Sequence, residues 1–378
     1  MTAKKFTRKE TLKRARRVVI KIGSTVVAGG NSGVNQRRIA AISAEIAKLM
    51  EAGREVVVVT SGAVASGMGK LGLTEKPKAI ELKQAAAAVG QSSLIRMYEK
   101  NLAKHGINVG QMLLTSADLS DRRRFLNARN TLQKLIEYKV VPVINENDTV
   151  SVEELKFSDN DNLAALVTNL AEADTLVILS DVDGLFDKDP GNKDAKIMHD
   201  VPRITAEIER MAGGSCSAFG TGGMCSKLAA AKKAAVRGAA CFIINGKKPG
   251  NIGALFAGEA VGTFFMPSDE HLTSKKHWIA HMSRGKGKVV VDDGAARAIK
   301  GKGKSLLASG IKSVEGRFKA GDAVEVCDLK GNAIARGLIH YSYSEVEKIM
   351  GAKTAEIEGI LGYKYCDEVI HRDDLVVI

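Results

Sequence analysis

The sequence predicts an α/β fold: an open, mostly parallel sheet sandwiched by helices, followed by a small, mainly β C-terminal domain. Three observations predict it. Up to about residue 265, short apolar runs rich in β-branched residues alternate with stretches of helical periodicity, the pattern of a parallel sheet covered on both faces. After about residue 280 the helical stretches shorten, and strand-like pieces are separated by turns such as Lys330-Gly331-Asn332. The length, 378 residues, accommodates two or three domains. The expected division is a basic N-terminal extension over 1–17, an α/β body over 18–265, a linker over 266–284 and the β domain over 285–378.

Val18–Ile22 opens the body as a short β-branched strand. Ile39, Ile42, Ile46, Leu49 and Met50 recur at helical spacing, with Gly53 placed as the C-terminal stop. Val56–Val59 is a continuous apolar run of the kind buried on both faces. Further strands are expected at Val109–Leu114, Val140–Ile144, Leu176–Leu179 and Cys241–Ile244, and helices over 79–104, 122–138, 160–171 and 223–237. Pro142 donates no hydrogen bond, so its strand is expected at an edge or with a late start. In the last domain the expected strands are Lys288–Val291, Ala323–Cys327, Ala333–Leu338 and Val376–Ile378. Four of the six tyrosines, at 341, 343, 363 and 365, fall there. They suit core packing better than stacking on RNA bases, because only 4% of the chain is aromatic.

Apolar residues make up 45% and charged residues 26% of the chain, which excludes collagen-like, disordered and disulfide-scaffold classes. No apolar run approaches the ~18 residues that span a bilayer, so no membrane association is expected. Val18-Val19-Ile20 meets Lys21 at once, too short for a signal-peptide core. Five scattered cysteines without a C-x-x-C pair fit a reducing, cytoplasmic setting. The net charge of +13 is concentrated in residues 1–17 and 275–304, each with an excess of seven cationic side chains. These segments could touch nucleic acid or phosphate, although charge runs are more often a solvated tail and linker.

Open α/β sheets bind ligands at the carboxyl ends of their strands. Four expected strand ends carry Lys21-Ile22-Gly23-Ser24-Thr25, Thr60-Ser61-Gly62-Ala63, Asn145-Glu146-Asn147-Asp148 and Ser180-Asp181-Val182-Asp183-Gly184. Each alone is an ordinary turn; together they point to a polar ligand with phosphate groups. Gly220-Thr221-Gly222-Gly223-Met224-Cys225-Ser226-Lys227 opens an Ala-rich helix. Its glycines allow close backbone approach to an anion, the helix N-terminus adds partial positive charge, and Lys227 adds a full one. In Ser158-Asp159-Asn160-Asp161-Asn162, one residue caps the following helix, which explains one polar side chain but not five. Asp161 could orient Lys21 or Lys227, or hold Mg²⁺. Asn160 could donate to a carboxylate, and with Asp148 it suits an amino-acid ammonium group. Arg122-Arg123-Arg124 is expected as a solvated helix face. Two look-alikes fail. Gly67-x-Gly69-x-x-Gly72 starts too far past its strand for a dinucleotide loop, and Lys302-Gly303-Lys304-Ser305 has Ala298 where a phosphate loop needs glycine.

The order of these segments, with Val141-Pro142-Val143-Ile144 before the Asn145–Asp148 run, resembles the amino acid kinase family, in its branch that acts on glutamate. Gly110–Thr115 and Arg124–Arg129 belong to the same pattern. Gly310–Val314 and His371–Asp374 resemble the PUA domain that follows such kinases. The resemblance covers nearly the whole chain after residue 17. It departs at Ser158 (usually glycine), Phe186 (usually tyrosine) and Ser226 (usually threonine). It implies that Lys21 and Lys227 contact the ATP phosphates and stabilise the transferring phosphoryl group, while Asp161 orients both lysines. It gives Ser61, Asp148 and Asn160 to L-glutamate. Ser180, Asp181, Thr221, Gly222, Gly223, Met224, Cys225 and Ser226, with the two lysines, go to ATP. Mg²⁺ is held through the ATP phosphates, with no protein ligand assigned. The implied reaction phosphorylates the glutamate side-chain carboxylate as the first step of proline synthesis. Implied with it are proline as feedback inhibitor, a dimer or tetramer, and handover to a reductase. The alternatives are an RNA-binding protein acting through its PUA-like tail, and a family member with another acceptor.

Overall fold

The computed structural model describes residues 7–29, 33–75, 77–150, 160–212, 223–268 and 286–378. It divides into two compact units, one of residues 1–120 and 128–269, the other of 121–127 and 270–378.

The first unit opens with α1 (Arg8–Arg14), where Thr7 and Glu10 close a reciprocal capping box. Leu12 is buried, and the Arg8 guanidinium donates to the carbonyls of Val261, His199 and Gly262 at 2.6, 2.6 and 3.1 Å. The solvated-tail reading is therefore corrected for residues 7–17. A charge run hides a docked helix whose cation satisfies carbonyls of its own body.

The chain continues through β1 (Arg17–Ile22), α2 (Ser24–Val27), α3 (Gln36–Glu51), β2 (Glu55–Thr60), α4 (Ala63–Lys70), α5 (Ile80–Leu102), β3 (Val109–Leu114), α6 (Ser116–Ser120), α7 (Arg122–Glu137) and β4 (Val141–Glu146). Then come α8 (Asn160–Leu170), β5 (Thr175–Ser180), β6 (Asp200–Val201), α9 (Ala206–Met211), α10 (Met224–Val236), β7 (Ala240–Asn245), α11 (Asn251–Phe256) and β8 (Thr263–Phe265). The sheet order is β3-β4-β2-β1-β5-β7-β8-β6. Strands β1 to β5 and β7 run parallel, and β8 turns back antiparallel on β7. The chain builds outward from β1 on one side through β2, β3 and β4, then crosses to β5 on the other. This places a topological switch point between β1 and β5, where such sheets open a crevice.

Pro142 is not on an edge strand, because β4 lies between β3 and β2. Val141 N–H bonds toward β3, to Asn108 O, so the next residue faces β2, and pairing with β2 begins only at Val143. The missing donor falls where no ladder bond is required.

Gly67 sits inside α4, not in a phosphate loop. A Cβ there would lie 1.8 Å from Ala86 O, and one at Gly90 would lie 1.8 Å from Ala63 O. The glycines let α4 and α5 touch backbone to backbone.

The second unit contains β9 (Gly287–Val291), α12 (Asp293–Lys302), β10 (Ile311–Gly316), β11 (Ala323–Cys327), β12 (Ala333–Leu338), α13 (Tyr343–Ile349), α14 (Ile357–Leu361) and β13 (Leu375–Val377). Its sheet order is β10-β9-β11-β12-β13. Gly303 ends α12 in the left-handed conformation, which accounts for the Lys-Gly-Lys-Ser look-alike as a helix stop. Tyr341 and Tyr365 are buried, and Tyr343 and Tyr363 pack against the same core. Phe125 and Leu126 join this core, and Arg123, although exposed, lies over the Tyr363 and Tyr365 rings at 6.0 and 5.9 Å. Part of the arginine run is thus packed on aromatic faces. Cys241, Cys327 and Cys366 are thiols outside any disulfide.

Candidate active site

The period of two along β1 decides what Lys21 faces. Val18, Ile20 and Ile22 belong to the core with α3 and α5 residues, so Val19 and Lys21 point to the opposite face. There the side chain is buried, at 7% exposure, and Nζ lies 2.5 Å from Asp161 Oδ1. A buried ammonium without a partner would cost several kcal/mol. The chain supplies the partner from the second residue of α8.

Lys227 comes from α10, and its Nζ lies 3.4 Å from Asp161 Oδ2 and 3.0 Å from Gly223 O. Ser226 Oγ donates to the same Oδ2 at 2.7 Å. The Ser226 hydroxyl is the group that this contact needs. One carboxylate therefore gathers two cations that stand far apart in sequence. Burial alone would raise the Asp161 carboxyl; the two ammonium groups and the Ser226 hydroxyl outweigh it and hold the carboxyl at about 2. Of the two readings of Asp161, this geometry builds the one in which it orients lysines.

The N-terminus of α10, a 13-residue helix, opens at Gly223 with φ 84°. Its first backbone N–H groups lack intrahelical partners and carry the positive end of the helix dipole. Ser180, Asp181, Gly223, Met224 and Lys227 share a cavity of about 520 Å³, also lined by Leu185, Phe186 and Met211. That volume lies in the ordinary range for small-molecule sites. Cys225 stands apart from this lining, with Sγ 3.7 Å from Ala212 O. Thr221 and Gly222 lie outside the described residues.

A second cluster centres on Asn160. Its Nδ2 lies 2.8 Å from Thr60 O, 2.8 Å from Ser61 Oγ and 3.0 Å from Asn145 Oδ1. Two hydrogens serve three acceptors, so one acceptor always has spare capacity. Asn145 Nδ2 continues the chain to Gln91 Oε1 at 2.8 Å, while among the described residues Gln91 Nε2 has no hydrogen-bond partner. A buried amide donor left open at the end of such a chain is one that a polar ligand can satisfy. Asn145 stood in a strand-end segment read as pointing to a ligand but was given no role of its own, and Gln91 was not singled out at all. The only signal for Gln91 was a polar side chain at an interior position of an Ala-rich helix. Asp148 lies two residues past β4, half-buried.

ATP fits these features: an apolar-walled cavity for the nucleoside, a helix N-terminus and two lysines for the phosphates. For Mg²⁺ the described residues offer no group of three or more His, Cys, Asp or Glu side chains that could hold it, and Asp161 is engaged by lysines.

The model of the amino acid kinase family matches residues 16–245, and that of the PUA domain matches residues 287–361. The chain belongs to the amino acid kinase family. This amino acid kinase is 54% identical over 371 residues to the glutamate 5-kinase of Syntrophotalea carbinolica, covering 98% of this chain and 99% of that one. It is 55% identical over 368 residues to the glutamate 5-kinase of Geobacter metallireducens, covering 97% and 99%. Among solved structures, the UMP kinase of Bacillus anthracis is similar with a TM-score of 0.49 and 19% identity, over 67% of this chain and 97% of that one. No helix among the described residues is long and apolar enough to cross a membrane.

Proposed function

We propose that this kinase transfers the γ-phosphoryl group of ATP to the side-chain carboxylate of L-glutamate, giving ADP and L-glutamyl 5-phosphate. The observation that carries the reading is the Lys21–Asp161–Lys227 bridge, one residue along α8 from the Asn160–Ser61 cluster. The relatives' shared name supplies the acceptor.

The nucleophile needs no general base, because a carboxylate of pKa about 4.3 is already ionised at neutral pH. Catalysis then rests on positioning and on neutralising charge between two anions. Lys21 and Lys227 supply two full positive charges on the transferring phosphoryl group, and Asp161 fixes their direction. The α10 N-terminus adds backbone donors from Gly223, Met224, Cys225 and Ser226. Ser180 and Asp181 hold the nucleoside side of ATP, and Mg²⁺ on the phosphates contributes further charge neutralisation when bound. Ser61, Asn160 and Asp148 hold glutamate. Its ammonium group suits the Asp148 carboxylate, and its carboxylates suit the amide donors. As parts of the same reading, the chain serves proline synthesis in the cytoplasm, proline inhibits it at the glutamate site, it assembles as a dimer or tetramer, and a reductase consumes its acyl phosphate.

The deciding experiment is ADP release against a panel of glutamate, aspartate, N-acetylglutamate, carbamate and UMP. Turnover with glutamate well above the others is expected. Preference for any other acceptor overturns the substrate assignment while leaving the kinase standing.

A further inference from the structure

The second unit holds a cysteine, a histidine and an aspartate in series. Cys366 lies in the loop between α14 and β13, partly buried. Its Sγ is 3.1 Å from His340 Nδ1. His340 is buried at 1% exposure, and its Nε2 is 3.2 Å from Asp374 Oδ2. Nothing in the proposed phosphoryl transfer uses these groups.

The geometry points to Cys366 as a base-assisted nucleophilic thiol, a site of covalent modification by small disulfides. An aspartate carboxylate can only accept, so it fixes the imidazole proton on Nε2. Nδ1 is then the lone pair, and it faces the sulfur. This is the arrangement in which an imidazole takes a proton from a thiol. Glu368 O, at 3.2 Å, competes as an acceptor for the thiol proton. Once the proton is on Nδ1, a full imidazolium charge at 3.1 Å outweighs the partial charge of that carbonyl.

The charged side chains on the same loop are paired with one another. Lys364 is paired with Asp367 at 2.9 Å, and the Glu368 carboxylate lies 3.7 Å from His371. Tyr341 donates its hydroxyl to Cys366 O at 2.6 Å and receives Cys366 N–H at 3.2 Å, so the residue is pinned in place. Burial pushes the Tyr341 phenol up, so it stays neutral. The other two free thiols, Cys241 and Cys327, are buried, and burial pushes both up, away from the reactive thiolate.

The step balances with a low-molecular-weight disulfide as oxidant. The Cys366 S–H proton passes to His340 Nδ1 as Sγ attacks one sulfur of the disulfide. A new Sγ–S bond forms, the old S–S bond breaks, and the departing thiolate takes the proton from Nδ1.

The test uses the full chain. Alkylation of Cys366 by iodoacetamide is followed by peptide mass spectrometry from about pH 6 to 9, in the native protein and in the same chain unfolded in urea. The native midpoint should lie a pH unit or more below the unfolded one. A one-unit fall raises the thiolate fraction about tenfold at low pH, and lower intrinsic nucleophilicity returns roughly threefold of it. His340→Gln should carry the midpoint back to the unfolded value with melting unchanged. Glutathione disulfide should add one glutathionyl group, at Cys366. A native midpoint at or above the unfolded one, or no reaction of native Cys366, overturns the proposal. That comparison stands even if the variant does not fold.

Discussion

Asp161 carries more of the site than any other side chain, because it pairs with the buried Lys21 and the half-buried Lys227 and aims both. Removing one preorganised cation from a phosphoryl-transfer site typically costs ~10²–10³ in rate. Lys21→Ala and Lys227→Ala should each lower kcat by that order. Circular dichroism checks that the fold survives, and near-wild-type turnover removes the residue from the catalytic set. Asp161 also makes a pH prediction. Its carboxyl is held at about 2 against an ordinary 3.8, so its folded pKa is depressed. The stabilisation is complete above about pH 4 and fades as pH falls toward 2. At about 1.4 kcal/mol per unit, it amounts to ~2 kcal/mol. Urea titrations of wild type and Asp161→Asn should therefore converge by roughly that amount between pH 5 and the acid limit. A constant difference would mean that the lysines do not hold the charge. Both lysines and Asp161 were legible in the sequence, since each sits at a strand end or helix start where a ligand is expected. Gln91 was not, because only the fold shows that an Ala-rich helix passes beside Asn145.

At the level of elements, the parallel strands were legible and their covering helices less so. β1, β2, β5 and β7 are buried on both faces, and such strands must be continuously apolar whatever packs on them. α4 was missed because its Gly67 and Gly69 resemble a loop, yet the first is a packing residue. α1 was missed because seven residues hold too few periods to outweigh a charge run. β8 was missed because three residues leave almost no pattern. The two kinds of helical glycine can be told apart by experiment. A Cβ on Gly69 meets nothing within 4 Å, so Gly69→Ala should stabilise by about 0.5–1 kcal/mol through helix propensity. A Cβ on Gly90 would lie 1.8 Å from Ala63 O and 2.4 Å from Gly67 N, so Gly90→Ala must part α4 from α5, at a cost of about 1–3 kcal/mol or more. Ala63 follows the Ser61 turn, and α5 carries Gln91 as well as Tyr98, whose hydroxyl lies 2.8 Å from Thr60 Oγ1. The second variant should therefore also raise the KM for glutamate more than that for ATP. Thermal melts and initial rates decide both. Equal stability of the two variants would mean that the backbone contact does not matter.

At the scale of the whole molecule, the described residues of the first unit include a core of β1, β2, α3 and α5 residues, and those of the second a core of β9, β11, β12 and α13 residues. Every residue assigned to ATP or glutamate belongs to the first unit. A ligand stabilises a protein only against openings that destroy its site, by RT ln(1 + [L]/Kd), or about 2.7 kcal/mol at a hundredfold excess over Kd. Opening of the second core breaks none of the assigned contacts. Hydrogen exchange with a non-hydrolysable ATP analogue and glutamate should therefore slow in peptides covering β1, α8 and the start of α10. Peptides covering β11 and β12 should exchange at their unliganded rate. If β11 and β12 gain the same protection, openings of the second core are coupled to the site. The PUA domain would then have to be counted as part of the catalytic apparatus.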